Sequence, residues 1–255
     1  MCEAPGTSAS TTTALVLASS MPAGQAVVCA ECDPTGGDLA AWCGLSETPG
    51  WATAAASGDR SWSGLQTHLQ QLPSGLSVLC APTRGGQARV VIREAATRFA
   101  PVLRSMSEVI TVADCGRVGE EPSPWLRSAQ LVLLVVRQSA ASTGATVARV
   151  DRAIEAAEVL AAVEGRLAVV VIGARPYGVE QLVEVLGCDV FGALPEDQVG
   201  AGLASGAWTI GRGASRSPLA RAGRPLAARV SELLGGTITA DSTSRGDQRE
   251  ALSDG

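Results

Sequence analysis

The chain has 255 residues, 46% of them hydrophobic and 18% charged, so it can bury a substantial core and is not a disordered polymer. A formal net charge of −5 argues against a general nucleic-acid binder, and no apolar run approaches the length of a membrane-spanning helix. All 20 basic residues are arginine, which excludes Schiff-base chemistry and the usual phosphate-loop lysine.

The amino-terminal region reads Pro5-Gly6-Thr7-Ser8-Ala9-Ser10-Thr11-Thr12-Thr13, a small-residue loop opening directly into a helix. Backbone N–H groups at such a start can cradle a phosphate, and Ser10 or Thr11 can equally serve as a plain N-cap. The apolar stretch within Thr13–Ala26 has no basic residue before it, so it reads as a buried helix rather than a secretory signal, and the chain as cytoplasmic. The first basic residue is Arg60; Glu3, Glu31, Asp33, Asp38, Glu47 and Asp59 all precede it.

Six Val-rich apolar runs predict strands buried on both faces: Ala26–Ala30, Leu76–Cys80, Val109–Ala113, Leu131–Val136, Leu167–Ile172 and Val190–Leu194. Between and after them lie predicted helices over Trp62–Gln71, Gln87–Leu103, Thr143–Val163, Val179–Leu186 and Pro218–Leu234. In Thr143–Val163 the apolar stripe reads Val147, Val150, Ile154, Ala157 and Ala161, with Arg152 off it. The alternation predicts an α/β doubly wound, mostly parallel sheet with helices on both faces, forming one domain over residues 1–234. The polar segment 235–255 reads as a disordered tail.

Seven cysteines in a chain without a secretion signal read as free thiols. Cys29-x-x-Cys32 has no second pair at zinc spacing. Cys2, Cys32, Cys80 and Cys115 fall near strand ends, where a metal is conceivable but a small buried hydrophobe is the better reading. His68 is the single histidine, far from the other motifs.

In a sheet of this kind ligands sit at the carboxyl ends of strands. The run ending at Ala30 continues Glu31-Cys32-Asp33-Pro34-Thr35-Gly36-Gly37-Asp38, and the run ending at Ala113 continues Asp114-Cys115-Gly116. Taken singly, Asp33 is a turn residue before Pro34 and Asp114 a helix cap. With Thr11-Thr12-Thr13-Ala14 ahead of them and Leu194-Pro195-Glu196-Asp197 behind, the order resembles the MinD/ParA family of deviant P-loop ATPases from Gly6 to Leu234.

That resemblance implies ATP and Mg²⁺ as ligands. It implies a phosphate loop of Gly6, Thr7, Ser8, Ala9, Ser10, Thr11 and Thr12, with the Thr11 hydroxyl on the metal. It makes Asp33 the catalytic carboxylate that orients water and reaches the metal, and Asp114 a second metal carboxylate. Gly116 would face the terminal phosphate and Pro195 the adenine. It further implies protein partners, a homodimer, and a role in chromosome or plasmid partitioning, septum placement, or pilus or flagellar assembly.

The departures from the family pattern are specific. Ser10 stands at the loop lysine, Pro5 at the signature lysine, Thr7 and Ala9 at two glycines, and Gly173 at a base-reading asparagine. Each lost charge-assisted hydrogen bond costs about 1.5–3 kcal/mol, or about ten- to 150-fold in affinity. Hydrolysis is therefore expected to be weak or absent, with Arg84 and Arg117 as candidate replacement cations. The alternative is a non-catalytic scaffold acting through protein contacts.

Only Met1-Cys2-Glu3-Ala4 precede the loop, so the first strand is expected to be truncated, leaving an unpaired slot, with the start lying upstream. Arg216, Arg221, Arg224 and Arg229 flank the last helix, but Pro218 and Pro225 interrupt it. It is expected to break or kink at Pro225 and to pack on the sheet rather than on lipid. Trp42, Trp51, Trp62, Trp125 and Trp208 are scattered, as core or partner contacts rather than a nucleic-acid platform.

Overall fold

A computed structural model describes residues 1–7, 9–139, 141–204 and 217–250, with side chains described as far as 202 and, in the last segment, 235. Ser8, Trp208, Arg216 and residues 251–255 lie outside the described residues.

The six apolar runs are all strands. β1 (Cys2–Glu3) and β2 (Ala26–Glu31) are followed by β3 (Gln70–Gln71), β4 (Ser77–Leu79) and β5 (Val109–Asp114). β6 (Leu131–Arg137), β7 (Arg166–Ile172) and β8 (Asp189–Leu194) complete the set. Two four-stranded halves form, β3-β4-β2-β5 and β1-β6-β7-β8, parallel throughout except for β3. Val and Leu on both faces of these strands are buried, as strands sandwiched between helix layers require.

The helices are α1 (Ser10–Ser19), α2 (Leu39–Cys43), α3 (Trp51–Ala56), α4 (Trp62–Gln66) and α5 (Gly85–Ser105). They continue with α6 (Pro124–Arg127), α7 (Thr143–Leu160), α8 (Val179–Leu186), α9 (Gln198–Ala204) and α10 (Pro218–Glu250). α1, α2 and α10 bury their apolar residues in one core. α3, α5, α6, α7 and α8 build the other, around Trp51, Phe99 and Trp125.

Four expectations change. Gln70 and Gln71 leave the helix of Trp62 and pair antiparallel with Val78 and Ser77, because the turn at 72–76 closes a hairpin. The buried stripe of α7 is Thr146, Val150, Ala153, Ala156 and Leu160, which leaves Val147 exposed and turns Arg152 inward toward the loop. Pro225 lies inside α10 without ending it. Helical backbone also continues past Leu234, through the first fifteen or so residues of the segment read as a disordered tail, to Glu250. The front of α10 packs on α1 and β8 through Leu219, Leu226 and Val230, and Arg229 lies over the Phe191 ring at 4.1 Å. No described helix is long and apolar enough to cross a membrane.

The join between the two halves is made by the first three residues. Met1 donates its amine to the Ala113 carbonyl and accepts from the Cys115 N–H, both at 2.9 Å, while Cys2 and Glu3 pair in register with Leu134 and Val135 of β6. On the amino side of Met1, the facing edges of β5 and β6 have no strand between them among the described residues. They bound a cavity of about 130 Å³ lined by Leu17, Ile110, Thr111, Trp125, Leu133 and Val230. The buried Thr111 hydroxyl has no partner there.

Candidate functional site

The carboxyl ends of β1, β2 and β5 lie side by side, and the loop into α1 crosses over them. Parallel register sets Glu31 opposite Asp114, so the residues after each strand emerge together. Here the Thr11 hydroxyl donates to Asp114 Oδ2 at 2.6 Å, although the two are 103 residues apart. The Ser10 hydroxyl also bonds to the Asp114 carboxyl, and the Gly116 N–H donates to its Oδ1 at 3.2 Å. Burial raises the Asp114 pKa above the usual carboxylate range, against the lowering effect of those hydrogen bonds.

Asp33 comes in from β2. Its Oδ1 accepts from the Thr35 N–H and hydroxyl, which fixes the turn through Pro34. Its Oδ2 passes so close to Gly116 that a Cβ there would sit 1.9 Å from it. Gly116 also has φ +63°, so both space and backbone select glycine. Thr11, Asp33, Asp114 and Gly116 are thus one cluster. Hydroxyl and carboxylate oxygens suit a hard divalent cation, and Thr11 with Asp114 and Asp33 would hold Mg²⁺. Such an ion polarises phosphate oxygens and neutralises charge developing on them. Among the described residues no three His, Cys, Asp or Glu side chains converge on one metal position. All seven cysteines are free, and burial pushes the thiols of Cys2 and Cys80 up to about 12 and that of Cys115 to about 11.

The loop itself is organised differently from the sequence expectation. Gly6 has φ +84°, and Thr7 is buried with a hydroxyl that finds no partner. Thr12 lies in the first turn of α1. Glu3, only 7% exposed, turns its carboxylate up under the loop. Its Oε2 accepts from Ala9 N–H at 2.6 Å and Ser10 N–H at 2.9 Å, the first free donors of α1. From above, Arg152 of α7 donates through Nε to the Pro5 carbonyl at 3.0 Å and rests against Gly6. Arg84 and Arg117 are exposed at their strand ends. Pro195 follows β8, three strands from β1, where Glu196 pairs with Arg137 at 2.7 Å.

A second buried carboxylate fixes the segment after Asp33. Glu31 is 2% exposed and accepts from Asp38 and Leu39 N–H at 2.6 Å and from Ala81 N–H at 2.9 Å. Gly37 lets it approach, since a Cβ at 37 would lie 2.5 Å from Glu31 Oε2. Desolvation raises the Glu31 pKa to about 7.

Glu3, Glu31 and Arg152 are the site residues that motif reading passes over. The available signal was indirect: an acidic residue at each of two strand ends, ahead of a small-residue turn with free N–H groups.

The sequence matches no protein-family model and no curated protein. The fold does have solved counterparts. The septum site-determining protein MinD of Pyrococcus horikoshii, solved with Mg-ADP, matches with a TM-score of 0.70 at 17% identity, over 92% of this chain and 96% of that one. A ParA family ATPase of Chlorobium tepidum matches at 0.66 and 16%, over 89% and 96%. The MinC:MinD cell division complex of Aquifex aeolicus gives 0.60 and 16%, over 91% and 94%. The chain has the MinD/ParA P-loop fold.

Proposed function

We propose that this protein is a MinD/ParA-like positioning factor of the cytoplasm, working in partitioning, septum placement or the assembly of a surface structure, with weak or absent ATP hydrolysis. The observation that carries this reading is the Thr11–Asp114 hydrogen bond, with Asp33 and Gly116 beside it at adjoining strand ends. Such a hydroxyl–carboxylate set serves Mg²⁺ and phosphate, and the fold is that of proteins that position cell structures. Phosphoryl transfer, however, depends on fixed positive charge at the transferring group. The chain has no lysine to supply it.

In this reading Thr11, Asp114 and Asp33 orient the metal and phosphates, Gly116 senses the terminal phosphate, and the outcome is a homodimer that presents a surface to protein partners. The Glu3 carboxylate beneath the loop favours the alternative, a scaffold that keeps the fold for protein contacts without turnover. A fluorescent fusion in the source cell tests the shared claim. It is expected to concentrate at poles, septum or nucleoid; uniform fluorescence contradicts it. Light scattering with and without Mg-ATP then separates the two forms. An ATP-dependent dimer lost in Asp114→Ala supports the switch, and a mass indifferent to nucleotide supports the scaffold.

A further inference from the structure

An α-helix leaves its first backbone N–H groups without intrahelical partners, and their dipoles favour an anion. In this protein the N–H groups of Ala9 and Ser10 are satisfied from inside the chain, by one oxygen of Glu3. We infer that Glu3 is a built-in anion that occupies the phosphate cradle at the head of α1 and closes it to nucleotide. The inference deepens the non-catalytic form of the reading above and rests on its assignment of the loop.

Three observations carry it. Glu3 is more than nine-tenths buried, so its side chain is held in place rather than swinging from solvent. The backbone of β1 is fixed from both sides. On one, Glu3 donates its N–H to the Gly116 carbonyl at 2.9 Å and accepts from the Val118 N–H at 3.0 Å; on the other, Ala4 N–H donates to the Val135 carbonyl of β6 at 3.1 Å. The same loop also keeps a buried hydroxyl, that of Thr7, without a partner, so its hydrogen-bonding capacity exceeds what a single carboxylate oxygen uses. A cradle built only to cap a helix has no need of that surplus. A phosphate oxygen and the Glu3 carboxylate cannot accept from the same two N–H groups, and their like charges repel at that distance. The charge that would tip the balance toward an outside anion is missing, because Ser10 stands in the loop and Arg152 engages its outer side through the Pro5 carbonyl.

The test is calorimetric titration of inorganic pyrophosphate into the full chain, into Glu3→Ala, and into Glu3→Gln. Glu3→Ala empties the cradle. Glu3→Gln keeps an acceptor for Ala9 and Ser10 and removes only the charge, so it remains informative if the alanine variant fails to fold. The unaltered chain is expected to show no binding at millimolar pyrophosphate, and Glu3→Ala to bind measurably. Glu3→Gln, whose neutral acceptor is displaced without repelling the anion, is expected to bind about tenfold more tightly than the unaltered chain or better. In Glu3→Ala the amide resonances of Ala9 and Ser10 should then shift on adding pyrophosphate. Micromolar binding by the unaltered chain overturns the inference, as does a folded Glu3→Gln that gains nothing. Neither result touches the positioning claim, which is read from localisation.

Discussion

Trp51→Ala should lower the unfolding free energy by about 3–5 kcal/mol, the usual cost of emptying a large aromatic from a packed core. Trp51 is fully buried at the start of α3, with ring centroids 5.1 Å from Trp125 and 5.9 Å from Phe99. It knots together α3, α5 and α6, and its own backbone N–H donates to the Cys80 carbonyl at the end of β4. The cavity left behind cannot be refilled without moving α5, whose Ala95, Ala96 and Phe99 are packed against the same cluster. Trp51→Phe should cost much less, because the buried indole N–H has no hydrogen-bond partner to lose. Urea unfolding measures both. A loss below about 1 kcal/mol in Trp51→Ala would mean that this cluster is not a packed core.

The second large effect is a dependence of stability on pH from Glu31. Its carboxyl titrates near 4.5 when solvated and at about 7 in the fold. A raised pKa means that the native state holds the proton more tightly, so the stabilising contribution is complete below 4.5. It is lost progressively as the pH climbs through 7. A shift of this size corresponds to about 3 kcal/mol. Asp114, also raised by burial, acts with the same sign from a lower starting point. Unfolding free energy is therefore expected to fall between pH 5 and pH 8. In Glu31→Gln most of that fall should vanish, although the variant loses an acceptor for the Ala81 N–H and is less stable at pH 5. Equal slopes in the two proteins would contradict this assignment.

The sheet was readable because its chemistry is local. Val-rich runs such as Leu131–Val136 and Leu167–Ile172 have no solvent-facing alternative and become central strands. Gln70 and Gln71 carry no such signal; they are an edge strand only because a turn folds them back onto β4. The cluster of Thr11, Asp33, Asp114 and Gly116 was legible only through the family resemblance carried by their order along the chain, which parallel strands turn into proximity by delivering their carboxyl ends to one edge; singly, Asp33 reads as a turn residue and Asp114 as a cap. Glu3 and Arg152 were not. One is the last residue of a two-residue strand, the other lies off the apolar stripe of α7, and both acquire meaning only when β1 lies beneath the loop and α7 crosses above it. The exposed positions of Arg84 and Arg117 likewise follow from tertiary packing rather than from their places after strands.

The most direct test of the account is steady-state phosphate release from Mg-ATP by the full chain, beside Asp33→Ala. With no lysine in the sequence and Glu3 holding the N–H groups at the head of α1, release is expected at or barely above the rate of buffer alone in both proteins. Sustained turnover that disappears in Asp33→Ala would contradict it, and would make this protein a working ATPase that draws its positive charge from arginine.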